Sequence, residues 1–417
     1  MIPLVTNCRI CRNDQLDPVL DLGDMHLSGV FPKTREEGIT HGRLELVKCR
    51  TDRKEHCGLV QLRQSYNLEE MYGQNYGYRS SLNRSMVQHL ESVVAGLRRI
   101  VQLEKNDLVL DIGSNDGTLL SFYPPEDLMI VGFDPTSEKF KAFYRSDIHR
   151  ISDFFSAETF QKHFGDRKAK IVTSIAMFYD LESPLAFMQE VRNILAPDGL
   201  WFFEQSYLPL MLERTAYDTI CHEHREYYAF QQIKWMTDRA GLKIVDVSTN
   251  DINGGSFAVT VARQESSFRE NVQAVKTFYE TEELGGFNDL AVYKKFEEAV
   301  LNHKEKLYST LENLVSRNKR VLGYGASTKG NVILQFCRIT TEWLPAIAEV
   351  NADKFGAFTP GTLIPIISER EAHQQCPDYF LVFPWHFRSN LLQREAAFLK
   401  RGGKMIFPLP QVEIIGE

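Results

Sequence analysis

The chain has 417 residues, which is too many for one small core and corresponds to about three domains of ordinary size. Hydrophobic residues make up 43% and charged residues 25%, so the disordered and fibrous classes are excluded. A formal net charge of −7 argues against wholesale nucleic-acid binding, which needs a basic face. No apolar run approaches the roughly 20 residues that span a bilayer, and the first residues do not resemble a signal peptide. The expected compartment is therefore the cytoplasm.

Four of the seven cysteines lie within the first 57 residues. Cys8 and Cys11 form a C-x-x-C pair, and Cys49 and Cys57 follow, so four thiolates can close one tetrahedral zinc site. His56 is an alternative to Cys57, because the spacing of the second pair is loose. With all four positions filled by protein, we expect a structural ion that stabilises a small N-terminal domain. The alternative is a set of free thiols that fall together by chance.

The segment 72–81 reads YGQNYGYRSS and is rich in tyrosine and serine. These side chains either pack between elements or fold over an active site and lend hydroxyl groups to a substrate. Tyr76 and Tyr78 are the candidates for the second role.

Residues 108–112 form a short apolar run that predicts a buried parallel strand, followed by the turn Gly-Ser-Asn-Asp-Gly and a helix. A second strand ends in Asp134, about 20 residues past the turn, where a carboxylate suits ribose hydroxyls. Asp153 and Phe154 follow a third strand and suit an adenine ring, and residues 170–174 form a fourth.

Asp111 at the strand end, without a G-x-G-x-x-G motif, favours S-adenosylmethionine over NAD as the ligand of this loop. The pattern D-x-G-x-x-D-G is typical of class I methyltransferases. The alternative is a glycine turn in another kind of α/β domain. The candidate cofactor-binding residues are Asp111, Gly113, Asn115, Asp116, Asp134, Asp153, Phe154 and Ser174.

The segment 217–228 reads YDTICHEHREYY and concentrates imidazoles, carboxylates, a thiol and aromatic rings. His222 and His224 form an H-x-H pair that could bind a metal, but no third ligand is evident nearby. A solvated polar loop is a second reading. We favour a general acid/base cluster, because histidine titrates near neutral pH and a neighbouring carboxylate can orient it.

The charged stretch 265–317 has helical spacing and predicts helices that join two domains. Residues 320–331, RVLGYGASTKGN, then predict a second strand, glycine turn and helix start. Backbone amides, a hydroxyl and Lys329 at a helix N-terminus suit a pyrophosphate. The chain therefore carries two α/β units, one for each of two ligands, unless the second unit has only a structural role.

Six motifs occur in order: the four-cysteine cluster, NYGYRSS, DIGSNDG, CHEHREYY, NGGSF and GYGASTKGN. In this order they resemble the nucleotide-sugar C-methyltransferases that make branched deoxysugars, over essentially the whole chain. The resemblance implies an α/β protein of three domains. These are a zinc-binding domain (1–75), a class I methyltransferase domain that binds S-adenosylmethionine (76–265) and a C-terminal Rossmann-like domain that binds the nucleotide-sugar (266–417).

Enzymes of this family methylate C-3 of an NDP-4-keto-6-deoxy sugar after a base removes the C-3 proton. The resemblance implies that His224 is the base, that Glu223 orients its ring, and that Tyr76 lies in the active site. Two departures are evident: Cys221 stands where some members have a tyrosine, and a histidine expected after the fourth strand is missing. Tyr179 is the candidate to cover that role.

The resemblance thus implies a small-molecule substrate, with S-adenosylmethionine and a structural zinc ion as cofactors, in a monomer or small homo-oligomer. An O- or N-methyltransferase acting on a nucleotide-sugar and a non-catalytic nucleotide-sugar-binding protein are the alternatives. The candidate catalytic residues are His224, Glu223, Tyr76 and Tyr179, and the candidate substrate-binding residues are Tyr78, His222, Asn253, Gly254, Tyr324, Ser327, Thr328 and Lys329.

Overall fold

A computed structural model describes residues 2–72, 76–125 and 127–416, and within them the chain forms three β-sheets surrounded by helices. The strands are β1 (Leu16–His26), β2 (His41–Cys49), β3 (Val60–Leu62), β4 (Leu108–Ile112), β5 (Met129–Phe133), β6 (Ile148–Ile151), β7 (Ala169–Ile175), β8 (Leu195–Ser206), β9 (Glu226–Tyr227), β10 (Leu242–Asn250), β11 (Ser256–Arg263), β12 (Val321–Tyr324), β13 (Ile347–Glu349), β14 (Ile366–Ser368), β15 (Tyr379–Val382), β16 (Lys404–Phe407) and β17 (Glu413–Ile415). The helices are α1 (Leu68–Met71), α2 (Arg84–Ile100), α3 (Ala157–Phe164), α4 (Pro184–Ile194), α5 (Leu208–Glu213), α6 (Phe230–Ala240), α7 (Val272–Gly285), α8 (Leu290–Ser316), α9 (Thr328–Phe336), α10 (Glu369–Gln374), α11 (Arg388–Arg394) and α12 (Ala396–Lys400).

The N-terminal sheet is antiparallel, with the strand order β1-β2-β3-β9. Its last strand comes from the histidine-rich segment, where Tyr227 pairs with Val60 of β3. The N-terminal unit is therefore completed by residues that lie more than 150 positions later in the chain.

The middle sheet has the order β10-β11-β8-β7-β4-β5-β6. Strands β8, β7, β4, β5 and β6 run parallel, and β11 and β10 are antiparallel to their neighbours. Every residue of β4 is buried, as expected for a parallel strand with helices on both faces. Helix α2 covers one face with Met86, Leu90, Val94 and Leu97, the spacing of one helical stripe.

The C-terminal sheet has the order β14-β13-β12-β15-β16-β17, and all pairs except β16–β17 are parallel. Helix α8, 27 residues long, contacts both β1 and β12 and so links the first sheet to the third. Apolar residues of these two units and of the segment 216–221 form one continuous core. The histidine-rich segment thus lies where the three units meet.

The structure confirms the predicted α/β class, with a small N-terminal unit followed by two Rossmann-like sheets. The predicted strands at 108–112, 129–134 and 170–174 correspond to β4, β5 and β7, and the charged stretch 265–317 forms α7 and α8. Among the described residues, no helix is both long enough and apolar enough to cross a membrane.

Candidate active site and metal centre

The four N-terminal cysteines converge on one point. The sulfur atoms of Cys8, Cys11, Cys49 and Cys57 all lie within 4.8 Å of one another. Two of these distances are 3.4 Å, between Cys8 and Cys57, and 3.5 Å, between Cys11 and Cys49. Four thiolates bound to zinc at about 2.3 Å in a tetrahedron would be about 3.8 Å apart, so the cluster fits a closed structural zinc site.

His56 does not join this cluster. Its Nδ1 atom lies 2.8 Å from the carboxylate of Asp52. Cys57 provides the fourth sulfur, and its carbonyl oxygen accepts a hydrogen bond of 2.8 Å from Gln232 on α6. The metal site therefore also anchors the N-terminal unit on a helix of the middle unit.

The glycine turn after β4 needs unusual backbone angles. Gly113, Asn115 and Gly117 all have positive φ, at 80°, 50° and 75°. A Cβ atom on Gly117 would lie 2.9 Å from the ring of Tyr144, so both the angle and the space require glycine there.

Asp134, at the end of β5, holds this turn in place. One of its carboxylate oxygens accepts the Asn115 amide at 2.8 Å, and the other accepts two hydrogen bonds of 2.6 Å from Thr136. Burial raises the pKa of Asp134. At the end of the neighbouring β4, Asp111 accepts a hydrogen bond of 2.6 Å from Thr173, and burial raises its pKa to about 7.

The loop is thus rich in acceptors, because the carboxylates of Asp111, Asp116 and Asp134 are buried at one end of the parallel strands. Such a set disfavours a pyrophosphate and fits S-adenosylmethionine, which brings an ammonium group, a sulfonium and ribose hydroxyls. The other predicted cofactor residues lie differently. Asp153 and Phe154 are exposed beyond β6, and the Ser174 hydroxyl accepts a hydrogen bond of 3.2 Å from Trp201 in the core.

Residues 76–81 lie directly on the glycine turn. The side-chain oxygen of Asn115 accepts the Ser80 amide at 3.0 Å, its side-chain nitrogen donates to the Tyr78 carbonyl at 3.3 Å, and Asp116 accepts the Ser81 amide at 3.0 Å. The predicted motif also includes residues 73–75, which lie outside the described residues. The described part of the segment joins the methyltransferase-like loop to the start of α2.

His224 is held in one tautomer. Its Nδ1 atom lies 2.7 Å from the carbonyl oxygen of Thr219, which can only accept, so Nδ1 carries the hydrogen. In the neutral ring Nε2 then keeps its lone pair. Burial, reinforced by the positive charge of Lys329, lowers the pKa of His224 to about 3. The ring of Tyr179 is 4.2 Å away, centroid to centroid.

The prediction that Glu223 orients this ring is wrong, because the Thr219 carbonyl occupies Nδ1. The Cys221 thiol lies near the Glu223 carboxylate, whose Oε2 atom is buried without a partner. Burial raises the pKa of Glu223. That Glu223 is a catalytic residue stays a prediction. Its role would be one other than orienting His224.

His222 points away from its neighbour and into the N-terminal unit. Its Nε2 atom lies 3.2 Å from the carbonyl oxygen of Met25, its Nδ1 atom is 3.3 Å from the Ser28 hydroxyl, and its ring packs edge-on against Tyr66. Burial lowers the pKa of His222 to about 4, which keeps the ring neutral at neutral pH. Both of its nitrogens are therefore engaged within the protein.

Sequence reasoning missed Asp180, which follows Tyr179 at the end of β7. The Tyr72 hydroxyl donates to one carboxylate oxygen of Asp180 at 2.5 Å, and the other oxygen is buried without a partner. Burial raises the pKa of Asp180. The rings of Tyr72 and Tyr76 are 5.3 Å apart, so Asp180 lies beside the predicted tyrosine. The sequence feature that could have identified Asp180 is its position shortly after the fourth strand, where the histidine expected from the family is missing.

Lys329 of α9 reaches across to the middle unit. Its ammonium donates to the carbonyl oxygen of Asn253 at 2.6 Å, and Asn253 itself has a φ of 54°. The ring of Trp385 packs against the neighbouring Gly254. The motifs NGGSF and GYGASTKGN, which are about 70 residues apart, are thus joined by Lys329, whose charge also lowers the pKa of His224.

The other predicted residues of the second turn have partners within the protein. The Ser327 hydroxyl caps α9 by accepting the Gly330 amide at 3.0 Å, and the Tyr324 hydroxyl donates to Glu395 at 2.9 Å. Glu349, which sequence reasoning missed, accepts the Ala326 amide at 2.8 Å. The sequence feature that could have identified Glu349 is an acid at the end of the strand after the glycine turn, the same position that Asp134 has after the first turn.

Comparison with known proteins finds matches along most of the chain. Three family models match: a zinc binding domain over residues 8–72, a methyltransferase domain over 86–247 and a C-methyltransferase C-terminal domain over 251–410. The chain is 29% identical to the C-methyltransferase NovU of Streptomyces niveus over 415 residues, which cover 99% of this chain and 97% of NovU.

Solved structures match only part of the chain. LepI in complex with SAM is 14% identical with a TM-score of 0.34, and the match covers 44% of this chain and 54% of LepI. The plantazolicin methyltransferase BpumL in complex with SAH is 12% identical with a TM-score of 0.33, and the match covers 42% of this chain and 82% of BpumL.

Proposed function

We propose that this chain, which matches models of a zinc binding domain, a methyltransferase domain and a C-methyltransferase C-terminal domain, methylates a ketosugar. The proposed substrate is an NDP-4-keto-6-deoxy sugar, and the proposed acceptor atom is C-3. The proposed role is in branched deoxysugar biosynthesis. The full-length similarity to NovU supports carbon as the methylated atom.

The observation that carries the proposal is the state of His224. With Nδ1 donating to Thr219, the lone pair of Nε2 is available to accept a proton. Its lowered pKa keeps the ring unprotonated throughout the neutral range. A C-4 ketone acidifies the neighbouring C-3 proton, and in the proposed step this proton passes from C-3 to Nε2 of His224.

Removing that proton places negative charge on the C-4 oxygen. The proposed donors to this oxygen are the hydroxyls of Tyr76 and Tyr179, which burial keeps protonated by raising their pKa. Tyr179 lies against His224, so base and donor are on the same side of the site.

S-adenosylmethionine, when bound, supplies an electrophilic methyl group. Asp111 and Asp134 would hold it at the ends of β4 and β5, and the segment 76–81 would close over the loop that carries them. This arrangement fixes the donor side relative to Tyr76. Positioning of this kind is the main contribution that the protein makes to the transfer.

For the nucleotide-sugar we propose a site around Asn253, Gly254, Thr328 and Lys329. Lys329 donates to Asn253 across the junction of the middle and C-terminal units, and its charge lowers the pKa of His224. His222 and Tyr324, whose polar atoms have protein partners, would contribute by supporting the walls of this site.

The test is incubation with S-adenosylmethionine and a panel of dTDP-, GDP- and CDP-linked 4-keto-6-deoxy sugars. We expect one added methyl group by mass spectrometry with one of these sugars, and NMR should place it on C-3. A methyl group found on oxygen or nitrogen would identify an O- or N-methyltransferase. No transfer to any sugar, despite binding, would identify a binding protein.

A further inference from the structure

A short piece of the N-terminal unit, Ser28 and Gly29, reaches into the proposed active site. The Ser28 hydroxyl lies 3.3 Å from Nδ1 of His222 in the middle unit. Its carbonyl oxygen accepts a hydrogen bond of 2.7 Å from Asn331 of α9 in the C-terminal unit. The backbone at this point is therefore held from two sides.

Gly29 leaves room for one carboxylate. A Cβ atom on Gly29 would lie 2.0 Å from Oε1 of Glu223 and 3.3 Å from its Cδ, and Thr328 Oγ1 would be 3.4 Å away. Its φ is not in the left-handed region, so backbone strain does not require glycine here. The reason for glycine is thus the contact with Glu223.

Glu223 has few other contacts that could fix it. Its side chain is buried, and its Oε2 atom has no hydrogen-bond partner. Because no hydrogen bond holds Oε2, packing sets the direction of the carboxylate. The surface of Gly29 is the wall against which Oε1 rests.

We propose that Gly29 is a positioning residue, by which the zinc-binding unit sets the direction of the Glu223 carboxylate in the active site. The inference rests on the proposed function together with the prediction, made from the sequence, that Glu223 is a catalytic residue. It makes the N-terminal unit part of the active-site wall, beyond its metal.

A positioning role and a purely structural role for Gly29 predict different results for Gly29→Ala. The atom that a Cβ would displace is the end of a flexible side chain, which can rotate away without moving the backbone. Gly29→Ala should therefore fold and bind S-adenosylmethionine, yet hold Glu223 in the wrong place. A shift of about 1 Å in such a group can cost about 100-fold in turnover.

The first experiment compares Gly29→Ala with Gly38→Ala in the full-length protein. Gly38 belongs to the same unit, has no left-handed φ and has nothing within 4 Å of a Cβ, so it is a matched control. We expect kcat to fall about 100-fold in Gly29→Ala, with an unchanged Kd for S-adenosylmethionine, and to stay at the wild-type value in Gly38→Ala. Wild-type kcat in Gly29→Ala would overturn the inference.

The second experiment shortens the carboxylate. In a Glu223→Asp background the clash is relieved, so we expect Gly29→Ala to cost little kcat or Tm beyond Glu223→Asp alone. An equal cost in both backgrounds would overturn the inference, including in the case where Gly29→Ala alone folds poorly.

A third variant, Glu223→Gln, separates the role of Gly29 from the catalytic role of Glu223. Wild-type turnover in Glu223→Gln would contradict the catalytic role of Glu223. If Glu223→Gln loses turnover while Gly29→Ala keeps it, only the role of Gly29 is contradicted.

Discussion

The two glycine turns of the molecule share one layout. Each follows a buried parallel strand, β4 or β12, and each is tied to an acid at the end of the next strand. Asp134 accepts the Asn115 amide, and Glu349 accepts the Ala326 amide, both at 2.8 Å. The two turns therefore have the same strand–turn layout, and the same kind of hydrogen bond holds each backbone in place.

What lies over the two turns differs. In the second turn, a Cβ atom on Gly325 would be 2.6 Å from Pro384 and one on Gly330 would be 2.7 Å from Phe383, so neighbouring protein packs closely on it. The first turn is lined by buried carboxylates and by the segment 76–81. The strand–turn layout predicts the backbone, whereas the groups that cover the turn decide which ligand fits.

The largest expected difference between the turns concerns the cofactor. Asp134→Ala should weaken S-adenosylmethionine binding at least about 100-fold, because it removes a carboxylate and leaves buried donors unpaired at about 1–3 kcal/mol each. Isothermal titration calorimetry measures the Kd directly.

Glu349→Ala is the matched control, since the Glu349 carboxylate likewise accepts three hydrogen bonds, from the amides of Ala326, Val350 and Asn351. We expect a lower Tm and an unchanged Kd for S-adenosylmethionine. An equal loss of affinity in both variants would mean that the two turns do not differ in ligand.

A smaller effect is expected from Lys329 of the second turn, whose charge acts on the pKa of His224. Lys329→Met removes the charge that helps to lower the pKa of His224, so this pKa should rise from about 3 toward the ordinary value of about 6.5. Since the base acts when neutral, activity is lost as the pH falls through its pKa. The acid limb of kcat/KM should therefore move to higher pH.

Lys354→Met serves as the control for that profile. Lys354 also donates to a carbonyl of the second turn, that of Ala326 at 2.8 Å. We expect its acid limb to stay at the wild-type position, whatever its effect on KM. A limb that fails to move in Lys329→Met would show that the lysine charge does not act on His224.

The smallest effect concerns helix capping. Ser327→Ala should reduce the free energy of unfolding by about 1 kcal/mol, because the hydroxyl caps α9, and Ser156→Ala should do the same for α3. Denaturant titration compares the two variants. If Ser327→Ala instead weakened nucleotide-sugar binding without a change in stability, the hydroxyl would serve the ligand and not the helix.

The sequence predicts what is local. Strands β4 and β5 and the turn between 113 and 117 follow from apolar runs and glycines within 30 residues. Ser174 was also placed near the cofactor, but its hydroxyl faces Trp201 in the core. The tautomer of His224 depends on a carbonyl oxygen, that of Thr219, which side-chain patterns do not mark.

Contacts between distant segments without a recognisable motif could not be predicted from the sequence. Gly29 meets Glu223 because the N-terminal unit folds onto the middle one, and no pattern near residue 29 points to a carboxylate almost 200 positions away. Cys57 and His56 were equivalent by spacing, and only the fold separates them, by turning His56 toward Asp52.

The central claim is that His224 removes a proton from carbon, and solvent deuterium tests it most directly. The wild-type protein, incubated in deuterium oxide with the 4-keto-6-deoxy sugar that it methylates, should introduce deuterium at C-3 of recovered substrate. His224→Asn, with its Kd for S-adenosylmethionine unchanged, should introduce none above the rate without enzyme. Exchange at the wild-type rate in His224→Asn would contradict the account.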